Sequence, residues 1–136
     1  MESFLTVRQL ARRAFKNLRK AIGRLASSPS DAQLHQIRIK TKRARYAAEL
    51  ARPSVGKPAG RFIKSARAVQ DALGIHQDAI QAERHIRQFL KYSTSVRAGF
   101  VAGRMAERQR LRRDTVRKAM KRLFKALLKR GKKAWD

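Results

Sequence analysis

Four side chains, His35, Arg38, Lys42 and Arg45, recur at three- and four-residue steps along the stretch LHQIRIKTKRARYAAEL. On a helix of about 3.6 residues per turn, with His35 at zero, Lys42 falls at roughly −20°, Arg38 at roughly −60° and Arg45 at roughly −80°. The other side of the same helix carries Leu34, Ile37, Ala44 and Ala48, an apolar stripe suited to packing. Cations stacked in this way repel one another by a few tenths of a kcal/mol per pair. The one acid on this face, Glu49, follows Arg45 by four residues, the weaker orientation for an ion pair on a helix. Such a row is suited to gripping phosphate oxygens. Arginine offers a planar fork of donors that can hold two oxygens at once, and His35 can add one more hydrogen bond, stronger when protonated. Tyr46, at roughly +20° on the same side, either hydrogen-bonds an oxygen or fills space. The competing reading is a solvated basic face that only keeps the chain in solution.

Other chemistries find little support in the residues. The nine acids are scattered, with no pair of carboxylates spaced for acid–base work. Gly56-Lys57 lacks both the preceding glycine and the following hydroxyl of a phosphate-binding loop. His76 and His85, with Asp78 and Glu83 between them, lie about 180° apart on a helix, which argues against a metal cluster. The chain is therefore expected to be no enzyme and to need no cofactor or metal.

The elements that must carry this row are all helical. A first helix is expected over roughly 2–26, with Phe4, Val7, Ala11, Ala14, Leu18, Ile22 and Leu25 on one stripe and Arg8, Arg12 and Arg19 as a basic ridge beside it. Ser27-Ser28-Pro29 ends it. Ser30 with Gln33 forms a capping box for the second helix, about 31–51, which should stop before Pro53. After the link SVGKPAG, a third helix opens at Pro58 and buries Phe62, Ala66, Val69 and Leu73 before Gly74 punctuates it. A fourth, roughly 76–91, carries Ile80, Ile86 and Phe89. A fifth, about 95–130, ends at Gly131, and Gly99 and Gly103 in it would bend the helix or admit a close neighbour. The expected fold is an all-α, antiparallel helical bundle of about four to five helices, one domain over residues 1–136.

Charge dominates the composition: 35 Lys and Arg against 9 Asp and Glu, a formal net charge of +26. At most nine cations can find an acidic partner one to one, and the rest favour a polyanion. With 21 alanines the chain can bury a modest core of closely approaching helices. The absence of cysteine excludes disulfides and thiolate metal sites and is neutral about compartment; with no run of about 18 apolar residues and no apolar leader, a soluble, cytoplasmic protein is expected. The last stretch, Arg104–Lys133, holds 14 basic residues and two acids. Its Met120, Leu123, Phe124, Leu127 and Leu128 are read as core, in preference to a cationic membrane-surface or calmodulin-binding helix. Arg117, Lys118, Lys121, Arg122 and Lys125 are read as its outer cations, extending the basic surface.

The pattern L-H-x-x-R-I-x-x-K-R-x-R-Y-x-x-E, Leu34–Glu49, resembles the signature helix of CHAD domains, a histidine-bearing α-helical family. VQDALGIHQDA, Val69–Ala79, resembles the segment that follows in that family. The resemblance implies a helical bundle that binds inorganic polyphosphate, with His35, Arg38, Lys42, Arg43, Arg45 and Tyr46 as the matching residues. It implies a sharp turn at Gly74, with Asp78 capping or bracing the next helix; Gln70, Asp71 and Asp78 are read as structural, because carboxylates beside a polyanion would repel it. CHAD domains usually hold two similar bundles, whereas this chain has one histidine helix, resembling the C-terminal copy. The chain is then either a single bundle that pairs as a homodimer or a piece of a longer protein. Association with polyphosphate granules is part of the same expectation. The same charge would suit a DNA- or RNA-binding protein or an adaptor for an acidic partner. No nucleic-acid motif is recognisable, however, and aromatics are sparse at 7%.

Overall fold

The computed structural model describes residues 5–136, so Phe4 and the expected start of the first helix lie outside the described residues. Four helices follow in order: α1 (Val7–Gly23), α2 (Asp31–Val55), α3 (Lys57–Tyr92) and α4 (Val96–Trp135). The fold is an all-α bundle. Short connections make successive helices antiparallel, with α2 between α1 and α3 and α4 packed along α3. Among the described residues no helix is long and apolar enough to cross a membrane.

Local chemistry sets the starts. Thr6 and Gln9 form a capping box at α1, and Ser30 and Gln33 form the expected one at α2. Ser95 caps α4 through the Ala98 amide. The stops are set differently. Pro53 does not end α2: it lies exposed in the last turn, where its missing N–H removes a single intrahelical bond, and the helix continues to Val55. The link to α3 contracts to Gly56, with φ 85° and ψ −143° and its amide donating to the Arg52 carbonyl. Only glycine adopts that conformation without strain, so Gly56→Ala should cost about 1–3 kcal/mol in urea unfolding.

The expected third and fourth helices are one. Gly74 makes no turn, and Asp78 lies exposed mid-helix and caps nothing. A glycine inside a helix costs about 1 kcal/mol. That is less than α3 gains by carrying one buried face through Val69, Leu73, His76 and Ala79. Likewise α4 runs past Gly131 because Ala134 and Trp135 are buried beyond it. A Cβ at Gly131 would lie 2.0 Å from the Phe15 ring, so the glycine gives that ring its place. Phe15 stands edge-on to Phe62, and Phe62 edge-on to Trp135, closing the core at this end. Gly99 and Gly103 have nothing within 4 Å of their Cβ positions and admit no neighbouring helix. Met120, Phe124 and Leu127 are buried, with Leu123 and Leu128 packed against the core, as the core reading of this stretch expects.

At about 1.5 Å per residue α3 and α4 are far longer than α1 and α2. The level at which the shorter pair stops is marked by Arg117. Its Nη1 donates to the Pro29 carbonyl (2.6 Å), its Nη2 to Asp31 (2.7 Å) and its Nε to His76 Nε2 (3.1 Å). Beyond this latch, residues 77–116 of α3 and α4 project as a two-helix arm. Glu83 is pinned inside the arm by Arg87 and Arg113.

Candidate anion-binding face

The apolar stripe of α2, Leu34, Ile37, Ala44, Ala48 and Ala51, faces the core, interrupted by Thr41, whose hydroxyl donates to the Ile37 carbonyl. That docking fixes the rotation of the helix. It leaves His35, Arg38, Lys42 and Arg45 half-buried along its flank, while Arg43 and Tyr46 are exposed. Three of these side chains hold a nitrogen that is buried yet has no hydrogen-bond partner among the described residues: Nδ1 of His35, Nε of Arg38 and Nε of Arg45. The Gln70 Oε1 on α3 is in the same position. Buried polar atoms are normally paired. At half-burial the charges of Arg38, Lys42 and Arg45 are screened less than on the open surface, so this flank concentrates positive charge.

The flank of α2 runs against α3 in a seven-residue register. Arg38, Arg45 and Arg52 follow one another at intervals of about 10.5 Å. Opposite them on α3 stand Gly74, Arg67 and Gly60 in the reverse order. A Cβ on Gly74 would meet the Arg38 guanidinium at 3.8 Å, and one on Gly60 would meet that of Arg52 at 3.3 Å. Both guanidiniums therefore lie across the α3 backbone where a side chain has been left out. Between them, Arg45 stacks on Tyr46 (4.9 Å) and stands 3.7 Å from Glu49, which also takes Arg67 at 3.3 Å. Arg52 and Arg67 escaped the sequence reading, although the repeat 38, 45, 52 was there to be seen.

With this geometry in hand, comparison with protein families matches residues 3–87 to the CHAD domain. The chain belongs to the CHAD domain family. The CHAD match takes in α1, α2 and α3 as far as Arg87, and so contains the whole row from His35 to Arg52 together with its α3 counterparts. CHAD domains are associated with polyphosphate binding in general. No curated protein and no solved structure is matched by the chain.

The remaining basic residues do not all meet the CHAD row. Arg19 stacks on Phe15 (5.1 Å) and donates to Asp136 at 2.9 Å, at the edge between α1 and α4. That hydrogen bond, helped by the charges of Arg12 and Lys16, holds the Asp136 carboxyl below its usual range. Arg8 and Arg12 are exposed on α1. Lys121 borders a hollow of about 390 Å³ beside the α1–α2 connection, and Arg122 is exposed on α4. Arg117, read from the sequence as an outer cation, is turned inward into the latch.

The latch also accounts for His76, which is 1% exposed. Burial, and then the Arg117 charge, push its pKa below the ordinary histidine value, against the opposing pull of Asp31 and with a smaller push from Arg113. The folded chain thus keeps this imidazole neutral, whereas the unfolded chain takes up a proton near pH 6.5. Stability from this group is full above about pH 6.5 and is lost as pH falls from there toward the depressed folded value. Urea unfolding at pH 7.5 and 5.5 should show that loss in the native chain, and His76→Gln should reduce it.

Proposed function

We propose that the chain binds inorganic polyphosphate without catalysis, along the α2 flank that faces α3. What supports this reading is the set of half-buried, unpartnered nitrogens of His35, Arg38 and Arg45 on one helix face. Arg38 and Lys42 take phosphate oxygens, Arg45 and Arg52 continue the row, and His35 adds a hydrogen bond at its start. Arg43 and Tyr46, exposed beside it, contact the polymer from the outer edge. Arg8, Arg12, Arg19, Lys121 and Arg122 belong to the wider positive field that draws the polyanion in. A flexible chain of phosphates can follow a row of cations on one helix flank. A stiff duplex, which presents charge on a cylinder, meets that half-buried flank less well.

In the cell the reading places the protein in the cytoplasm, at polyphosphate granules. A second copy pairing with the first would supply the second bundle usual in the family. Sedimentation at high salt and high protein concentration tests this point, and a monomer there removes the homodimer.

The deciding experiment for the ligand is competition at physiological salt. Labelled polyphosphate bound to the protein is challenged with duplex and single-stranded DNA matched by phosphate count. Polyphosphate should resist displacement by both. Equal competition by DNA would make this a general polyanion binder, and the polyphosphate assignment would fall.

A further inference from the structure

The arm that projects past the Arg117 latch carries surface the bundle never uses. From His76 to Tyr92, α3 extends about 24 Å beyond the end of the α1–α2 layer. At its tip the large apolar side chains are turned outward: Phe89 is 56% exposed, Tyr92 86%, Val96 90%, Phe100 66%, Val101 49% and Met105 48%. Large apolar side chains gathered at one exposed end of a fold mark an interaction site. The chemistry around it is one-sided. Between Glu83 and Glu107 the sequence holds no acid, but it holds Arg84, Arg87, Lys91, Arg97 and Arg104.

We propose that this arm tip inserts into the interface of an anionic phospholipid bilayer, its apolar side chains entering the headgroup–acyl boundary and Arg84, Lys91, Arg97 and Arg104 pairing with lipid phosphates. Charge decides against a second copy of the chain, which would bring the same cations, while the acids that flank its tip, Glu83 and Glu107, are already taken by Arg87, Arg113 and Arg110. Shape decides against a protein partner seated on one face. Phe89, Val101 and Met105 line a hollow on one flank, while Phe100 lies outside it under the Arg104 guanidinium (5.9 Å). Apolar groups spread round a convex end are covered together by a surface that closes around the tip, as a lipid interface does. The insertion is shallow, because no described helix is apolar enough to span. Interfacial elements bury about 5–10 Å, and the arm is long enough to reach that depth while the α2 flank stays clear of the membrane. Basic residues at an anionic surface add to the attraction.

The chain has no cysteine, so Val96→Cys offers a single labelling site at the tip. An environment-sensitive dye there should shift to the blue with vesicles of phosphatidylcholine mixed with phosphatidylglycerol, and be quenched by quenchers placed in the lipid. Vesicles of phosphatidylcholine alone should give little change. Phe89→Ser with Val96→Ser and Phe100→Ser should cut vesicle co-sedimentation at least about tenfold, with helicity and polyphosphate affinity unchanged. The Arg38→Ala, Lys42→Ala pair should keep vesicle binding, which separates this proposal from the polyphosphate reading. Three results overturn it: no dye shift with anionic vesicles, undiminished binding by the triple variant, or a shift elicited by an acidic peptide and not by lipid.

Discussion

Gly131→Ala should destabilise the protein by about 2 kcal/mol net, although alanine is the better helix former. Propensity alone would favour alanine by up to about 1 kcal/mol in mid-helix. Here the added methyl would stand 2.0 Å from one carbon of the Phe15 ring and 2.4 and 2.5 Å from two others. Phe15 has no exposed surface, and its edge is held by Phe62, itself against Trp135. The ring cannot swing into solvent, so the strain must be absorbed by α1, α3 and α4 together. Overpacking of this kind costs about 1–3 kcal/mol, and this site belongs at the upper end. Urea denaturation measures the change. Gly103→Ala, in the same helix but with open space at its Cβ, is the control and should be neutral or slightly stabilising. In a Phe15→Leu background the Gly131→Ala penalty should shrink, because the two sites are directly coupled. A penalty that persists undiminished there would mean that the ring is not its cause.

Removing Arg38 and Lys42 together, as alanines, should weaken polyphosphate binding at least tenfold, about 1.4 kcal/mol, with little change in folding stability. Both are half-buried on the α2 flank, and neither makes a side-chain hydrogen bond or ion pair among the described residues, so their loss breaks little within the protein. If each contacts a phosphate, the slope of log affinity against log salt should flatten by roughly 1.5 as two contacts disappear. Arg38→Lys isolates the role of the guanidinium. It keeps the charge while giving up the planar fork that lies over Gly74 at 3.8 Å, and should fall between the native chain and the alanine variant. Isothermal titration with polyphosphate at two salt concentrations reads both effects. Affinity within twofold of the native protein for the double variant would remove the α2 flank as the site.

Much of the candidate site's placement on α2 was legible because it rests on local rules. Ser30 and Gln33 announce the start of α2, and the placing of Leu34, Ile37, Ala44 and Ala48 announces which face is buried. Once that face is known, helical geometry puts His35, Arg38, Lys42 and Arg45 beside it. The errors were errors of punctuation. The preference such residues show in isolated helices makes Pro53, Gly74 and Gly131 stops, yet each lies inside a helix. Propensity is worth about 1 kcal/mol at a glycine. The buried residues on either side outweigh it, and those neighbours come from other helices.

The sequence by itself determined the all-helical fold, the buried and basic faces of α2 and the strongly positive charge of the chain, because periodicity, capping and net charge are properties of neighbouring residues. Only the tertiary structure decided which cations lie together. Arg52 lies against α3 at Gly60 and Arg67 reaches from α3 to Glu49, whereas Arg19 is taken by Asp136 and Arg117 by His76 and Asp31. Those assignments depend on contacts between residues as many as 117 apart in the chain. A helical pattern states which way a side chain faces along its own helix, and what meets it there is set by the packing of the others.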